Sequence, residues 1–338
     1  MTLENLEARW PRLKGFAEVY HNDLLPALKA LQKRRKTGTI MFWSGVVFSM
    51  LGIIAVEVAK SLTSNGHSEG WIYASFAILL IGGLVGLFGR NMKTSSTDEA
   101  KQLLIDKLST VLGVRFSLSP HRLYGDQFED LALVPGFDEA TETDEVSGDF
   151  EGVDFVLQEA KLETIERTRT GRGTTGLAVS LVLTATKQGN RNTVFHGLLG
   201  AFEFHKSFSS LTIGRSDRGV LNKLSNVFVS GERVRLESPE FEDLFEVYSD
   251  DQVEARYLLT PAFMERMVEL HRRFDGRVQF AFRKNQLLLS LSNYGAWMEP
   301  RGSSDKLTDE GYVAHLVEDL TLAHRIIDAL KLDAKTKA

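Results

Sequence analysis

Two long apolar runs near the N-terminus, Ile40–Ala59 and Trp71–Phe88, limit what this chain can fold into. Each is about as long as a helix needs to cross a bilayer core, roughly 17–25 residues. Neither contains Lys or Arg, and Glu57 is the one acid in either. A buried helix of a soluble protein normally keeps a polar face. Met41–Val56 offers only Ser44 and Ser49 as polar side chains, and Ile72–Phe88 only Tyr73 and Ser75. The first run also starts too far along the chain for the basic start and short apolar core of a signal peptide. The pair reads as a transmembrane hairpin over 39–89, with helices at 40–59 and 71–88.

Positive charge collects on the cytoplasmic side of a bilayer. Lys29, Lys33, Arg34, Arg35 and Lys36 precede the first run, and Arg90 and Lys93 follow the second. The intervening loop sets Lys60 against Glu57 and Glu69. Lys33, Arg34, Arg35, Lys36 and Arg90 are therefore the membrane-orienting residues. They predict a multi-pass protein with both termini cytoplasmic and Ser61–Gly70 on the far side. Trp43 and Trp71 fall near opposite interfaces, where indole rings are favoured. Gly82-x-x-x-Gly86 and Gly45-x-x-x-Ser49 offer small faces for close helix approach. Such faces serve contact within the hairpin or a homo-oligomer through Gly82 and Gly86.

Composition bounds the rest. With 338 residues there is room for the hairpin and one sizeable domain or two small ones. A net charge of −5 argues against a general nucleic-acid binder. The chain has no cysteine, which removes disulfides, thiolate metal sites and cysteine nucleophiles. Residues 1–38 read as an amphipathic helical segment, with Leu3, Leu6, Trp10, Leu13 and Ala17 at helical spacing. Pro11 and Pro26 are expected to break or bend it. It either lies on the membrane surface or packs against the soluble part, and its acids (Glu4, Glu7, Glu18, Asp23) favour packing.

After the hairpin, Thr94–Asp98 reads as a polar connector. Thr97 or Asp98 then caps a helix to about Leu112. The cytosolic domain is expected over 97–332. Leu123–Ala160 contains twelve acids and no Lys or Arg, and its middle, Gly136–Gly148, reads as a mobile acidic loop of undefined role. It lacks the pattern of a calcium-binding loop. From Phe150 the period changes to two. Val153, Phe155 and Leu157 alternate with polar residues, and Val194–Phe204, Val227–Leu236, Val278–Phe282 and Leu287–Leu291 also read as strands. Arg283–Gln286 is the turn of a hairpin. Ser238-Pro239 and Thr260-Pro261 are caps followed by proline, and Ser249 with Gln252 forms a capping box. A last helix is expected over Thr308–Leu330. The fold class is α+β with a mainly antiparallel sheet, preceded by the transmembrane hairpin.

No residue set identifies a reaction. Gly171-x-Gly173-x-x-Gly176 matches the dinucleotide fingerprint in letters, but the preceding stretch is charged and no acid follows at ribose distance. A hairpin tip is the better reading. Asp250, Asp251 and His196 are the candidate catalytic residues. Paired carboxylates can hold Mg²⁺ or exchange protons, yet adjacent side chains diverge on a helix, and acids at a helix start also suit its dipole. His196 and His205 fall on opposite faces of a regular strand. No cofactor and no metal centre is expected.

Arg235–Arg273, RLESPEFEDLFEVYSDDQVEARYLLTPAFMERMVELHRR, resembles the bacterial domain-of-unknown-function 3137 family. Tyr124–Glu129 (YGDQFE), Phe195–Leu199 (FHGLL) and Phe202–Phe208 (FEFHKSF) add to the likeness, which runs over roughly residues 100–300. The resemblance implies two membrane helices followed by a cytosolic α+β domain, in the bacterial inner membrane, and it carries no catalytic role. Where His205 stands, the family often has Asn, which argues against chemistry there. Two functions remain open. One is an interaction or sensory module at the inner face of the membrane, with the bilayer and an unidentified protein as partners. The other is a membrane-tethered metal-dependent hydrolase or phosphoryl-transfer enzyme using Asp250, Asp251 and His196.

Overall fold

A computed structural model describes residues 3–10, 13–64, 70–166, 190–216, 231–275, 277–292, 294, 297–299 and 306–332. The Gly171–Gly176 loop, the apolar stretch Leu177–Ala185 and the start of the strand expected at Val227–Leu236 lie outside these residues. So does the centre of the Ser61–Gly70 loop. The chain divides into two compact units, Met1–Leu112 with Met298–Glu318, and Gly113–Trp297 with Asp319–Ala338.

The first unit is helical. Short helices α1 (Leu3–Arg9) and α2 (Phe16–Val19) lead through a π-helical turn, Tyr20–Leu24, into α3 (Leu25–Ser64). Pro26 does not break the chain as its sequence suggests. It stands in the first turn of α3, where a missing amide costs least, directly after the wider turn. The amphipathic segment packs. Leu3, Leu6, Leu13, Phe16, Tyr20, Leu24 and Leu28 are buried. The Leu3 amide donates to Glu310 Oε2 at 3.2 Å, and the Tyr20 hydroxyl donates to the Thr308 carbonyl at 3.1 Å. Burial, with Glu310 and Asp309 close by, pushes the Tyr20 phenol up to about 12.

Helix α4 runs unbroken from Gly70 to Leu112. The connector expected at Thr94–Asp98 is therefore helix, and neither Thr97 nor Asp98 begins a new one. Its hydroxyls bond back along the helix: Thr94 to the Arg90 carbonyl at 3.1 Å, Ser96 to Met92 at 2.8 Å and Thr97 to Lys93 at 3.1 Å. This satisfies the polar side chains locally, and no Gly or Pro interrupts the stretch. At 40 and 43 residues, α3 and α4 are each about 60 Å long, roughly twice a bilayer core.

The second unit is built on one nine-stranded antiparallel sheet, in the order β1-β2-β3-β4-β9-β8-β5-β7-β6. The strands are β1 Val114–Ser117, β2 Glu139–Phe150, β3 Val153–Glu166, β4 Asn190–Glu203, β5 Thr212–Ser216, β6 Glu232–Val234, β7 Phe245–Ser249, β8 Val278–Arg283 and β9 Gln286–Ser292. The expected mobile loop Gly136–Gly148 is a correction: most of it is β2, paired with β1 and β3. Its acids are spent on amides and cross-strand partners. Glu142 accepts from the amides of Tyr124 at 2.7 Å and Gly125 at 2.9 Å, and also from Gln158. Glu145 accepts from the His121 amide at 3.0 Å, and Glu139 pairs with Arg191 at 2.9 Å. A bulge at Asp144 shifts the register between Thr143 and Glu145.

Helices cover one face of this sheet. They are α6 (Pro239–Glu242), α7 (Gln252–Leu258), α8 (Pro261–Arg273) and α10 (Leu322–Leu330). The core beneath them is aromatic, with Phe241 against Phe245 at 4.9 Å and Phe263 against Phe282 at 5.6 Å. On the other face a smaller core forms under α5 (Gly125–Asp130), where Phe128, Leu131 and Leu133 meet Leu162, Leu199 and Leu288. Ser238 and Thr260 cap α6 and α8 as expected, each accepting an amide at 3.3 Å. The β8–β9 turn is the expected hairpin, with Lys284 and Asn285 at φ 50° and 60°. The last helix is not continuous. Thr321 leaves helical dihedrals, and α9 (Glu310–Leu320) gives way there to α10.

Candidate functional site

The sheet keeps the sequence-derived catalytic candidates apart. His196 lies in β4 opposite Lys161 of β3, and its Nε2 meets Glu159 Oε1 at 2.8 Å. Asp250 and Asp251 follow β7, four strands away, at the end of the sheet where Ser249 pairs with Thr212 and Thr212 with Phe282. Four strand spacings alone amount to about 19 Å. Asp251 is the N-cap of α7: its Oδ1 accepts from the amides of Val253 at 2.8 Å and Glu254 at 3.0 Å. The capping box expected from Ser249 is thus displaced by two residues. Ser249 belongs to β7, and its hydroxyl instead receives the Asp251 amide at 3.2 Å. Among the described residues no three His, Asp or Glu side chains gather to hold a metal ion.

The hairpin shows two surfaces. Its seam is glycine. Gly38, Gly45 and Gly52 of α3, seven residues apart, meet Gly89, Gly82 with Gly86, and Leu79 of α4. A Cβ on Gly45 would lie 2.6 Å from the Gly82 carbonyl, and one on Gly82 would lie 2.6 Å from the Ser49 amide. Gly82 and Gly86 thus serve contact inside the chain. The outer surface is apolar and bare. Ile40, Trp43, Phe48, Leu51, Ile54, Phe76, Leu80, Leu84, Leu87 and Phe88 are all at least half exposed. Only 17% of the apolar window of the first helix and 22% of that of the second is buried. Of the orienting cations, Arg34 pairs with Glu99 at 3.1 Å.

Three clefts of the second unit draw on the family-like stretches or their neighbours. One, beside Leu270, Arg273 and Ile326, holds none of the candidate residues. A second, of about 450 Å³, is open and lined by charges of both signs, Arg115 and Lys284 against Asp154 and Glu203. The third, of about 150 Å³, lies where the FEFHKSF stretch meets the start of α8 and the end of α10. Lys206 sits 4.3 Å from the centre of the Tyr257 ring and donates to the Tyr257 carbonyl at 2.5 Å. Arg266 donates to the Leu330 carbonyl at 3.3 Å, and His205 Nδ1 lies 3.2 Å from that of Leu332. Glu254 ties the two stretches together by accepting from the amides of Ser209 at 2.9 Å and Ser210 at 2.6 Å. Burial raises its pKa, but those hydrogen bonds outweigh it and hold the carboxyl below its ordinary 4.5. Lys206 and Arg266 lie in the two family-like stretches, but nothing in the sequence groups them with Lys331. About sixty residues separate each from the next, so no local pattern joins them.

Residues 193–332 match the family described as a protein of unknown function (DUF3137), which bears out the resemblance read from FEFHKSF and the SPEFEDLFEVYSDDQVEARYLLTP run. The Tyr124–Glu129 stretch lies before the matched region. No curated protein and no solved structure matches the chain.

Proposed function

We propose that the chain is a membrane-anchored binding module. The hairpin holds it in the bacterial inner membrane, with both termini in the cytoplasm, and the α+β unit receives a ligand or protein partner at the inner face. The observation that carries this reading is the bare apolar surface of the paired helices, which water would not tolerate over two faces of such length. The flanking cations Lys33, Arg34, Arg35, Lys36 and Arg90 support the orientation. The distance between His196 and the Asp250–Asp251 pair favours binding over a reaction shared by these residues.

Topology reporters test it. A reporter active only outside the cytoplasm is expected to work when fused after Gly66 and to be silent when fused after Leu332, with the chain resisting alkaline extraction from membranes. Replacing Lys33, Arg34, Arg35 and Lys36 together by Gln is expected to give mixed orientation. Extraction of the chain by alkali, or an active reporter after Leu332, refutes the reading.

A further inference from the structure

The cleft between the FEFHKSF stretch, α8 and α10 has an unbalanced charge. Lys206, Arg266 and Lys331 line it, His205 adds a titratable ring, and no carboxylate residue is among its lining. Lys206 and Arg266 are steered by carbonyl oxygens, of Tyr257 and Leu330. A carbonyl carries only a partial charge, so these bonds fix the cations in place without neutralising them. Burial pushes the Lys206 ammonium below the usual lysine range, and no carboxylate contributes to offset it. An anion delivered to this point would restore what burial takes away.

The floor is different in kind. Phe204, Phe263 and Leu330 supply mostly apolar carbon, and Phe204 and Phe263 meet edge to face at 6.0 Å. Bare inorganic phosphate would leave that floor unused. The volume of about 150 Å³ is half the low end of ordinary ligand sites, roughly 300 Å³. It suits one charged head and a body of few carbons.

We propose that this cleft binds a small organic anion, a carboxylate or phosphate head held by Lys206, Arg266 and Lys331 with an apolar body laid on Phe204, Phe263 and Leu330. The inference rests on the reading of the chain as a binding module and names what the module takes. Its test reads binding and not anchorage, so the two fail separately.

The full chain in a neutral maltoside detergent is titrated calorimetrically with phenyl phosphate and with phenylacetate. Inorganic phosphate serves as the head alone and benzyl alcohol as the body alone. At least one of the two amphiphilic anions is expected to saturate, tenfold or more tighter than either half. Lys206→Gln and Lys331→Gln are each expected to weaken it about tenfold or more, the loss of one charge-assisted contact. Lys206→Arg is expected to retain binding, and Lys284→Gln, the same charge change in the open cleft, to leave it unaltered. Lys331 is exposed, so its variant keeps the test valid if Lys206→Gln does not fold. Failure of both anions to bind overturns the proposal. So does equal binding of benzyl alcohol, or an equal loss in Lys284→Gln. The titration is then repeated in nanodiscs of phosphatidylcholine with and without phosphatidylglycerol. Competition by phosphatidylglycerol assigns the head to a lipid, and identical binding in both assigns it to a free metabolite.

Discussion

The glycine seam sets a prediction whose sign differs between two positions of the hairpin. Gly→Ala in an exposed helix stabilises by about 0.5–1 kcal/mol, because alanine loses less freedom on folding. A methyl added at Gly83 would meet nothing within 4 Å, so Gly83→Ala is expected to stabilise the hairpin by that amount. At Gly45 the new methyl would lie 2.3 Å from the Gly86 amide nitrogen and 2.6 Å from the Gly82 carbonyl oxygen, both backbone atoms that no rotamer can move. Ordinary contact begins near 3.4 Å and the shortest of these is 2.3 Å, so the helices must part by about 1.1 Å. A radial gap of about 0.5–1 Å forfeits a quarter to a half of each dispersion contact across the seam. Overpacking of this kind costs about 1–3 kcal/mol. Loss of helical circular dichroism, followed in neutral detergent against rising dodecyl sulfate, separates the two variants. Gly45→Ala should unfold first, wild type next and Gly83→Ala last. If Gly45→Ala resists as well as Gly83→Ala, the helices are not held at the distance described, and the seam argument fails.

Three further outcomes follow from the second unit. Phe245→Ala empties a fully packed aromatic position and should cost about 3–5 kcal/mol in thermal unfolding, whereas Asp251→Asn keeps a capping side chain and should change little; a larger loss for Asp251→Asn would mean that the carboxylate does more than cap. Thr260→Val removes the α8 cap and should cost about 0.5–2 kcal/mol, read from the same melting curves. Because the Glu254 carboxyl is held below its ordinary 4.5, the stability it contributes is present above that value and is lost as pH falls through its lower folded pKa. Glu254→Gln should therefore melt below wild type at neutral pH and approach it once the pH has fallen through the folded pKa of Glu254; a gap that persists in acid would show that the charge is not what holds Ser209 and Ser210.

Much of the α+β core is legible in the sequence because its signals are local. Val278–Phe282 and Leu287–Leu291 are short, almost wholly apolar runs, and Asn285 between them sits where a tight turn needs positive φ, so the β8–β9 hairpin can be drawn from sequence. The two cap-plus-proline signals locate α6 and α8 for the same local reason. β2 is hidden by its acids. Charge density suggests solvent, whereas Glu142 and Glu145 are consumed by amides that belong to residues some twenty positions earlier. β7 alternates Phe245, Val247 and Ser249 inward, but a five-residue strand between two capping signals is easily read as part of the helices. The hydroxyl-rich stretch at Thr94–Asp98 misleads in the opposite direction, since bonds back along the helix do not show in composition. The cationic cleft cannot be found at all by spacing. It exists only once the end of β4, α8 and α10 converge.

The described sheet ends on two short strands. At one edge is β1, four residues with Arg115 outward, and at the other is β6, the three residues Glu232-Arg233-Val234. Exposed edges recruit other strands when they are long and apolar, and short charged ones offer few unpaired amides in a row. A tether to a surface confines many copies to a thin layer and raises their encounter rate far above that in free solution. On the anchored reading proposed above, edges of this kind would let copies crowd in such a layer without adding strand to strand into a fibre.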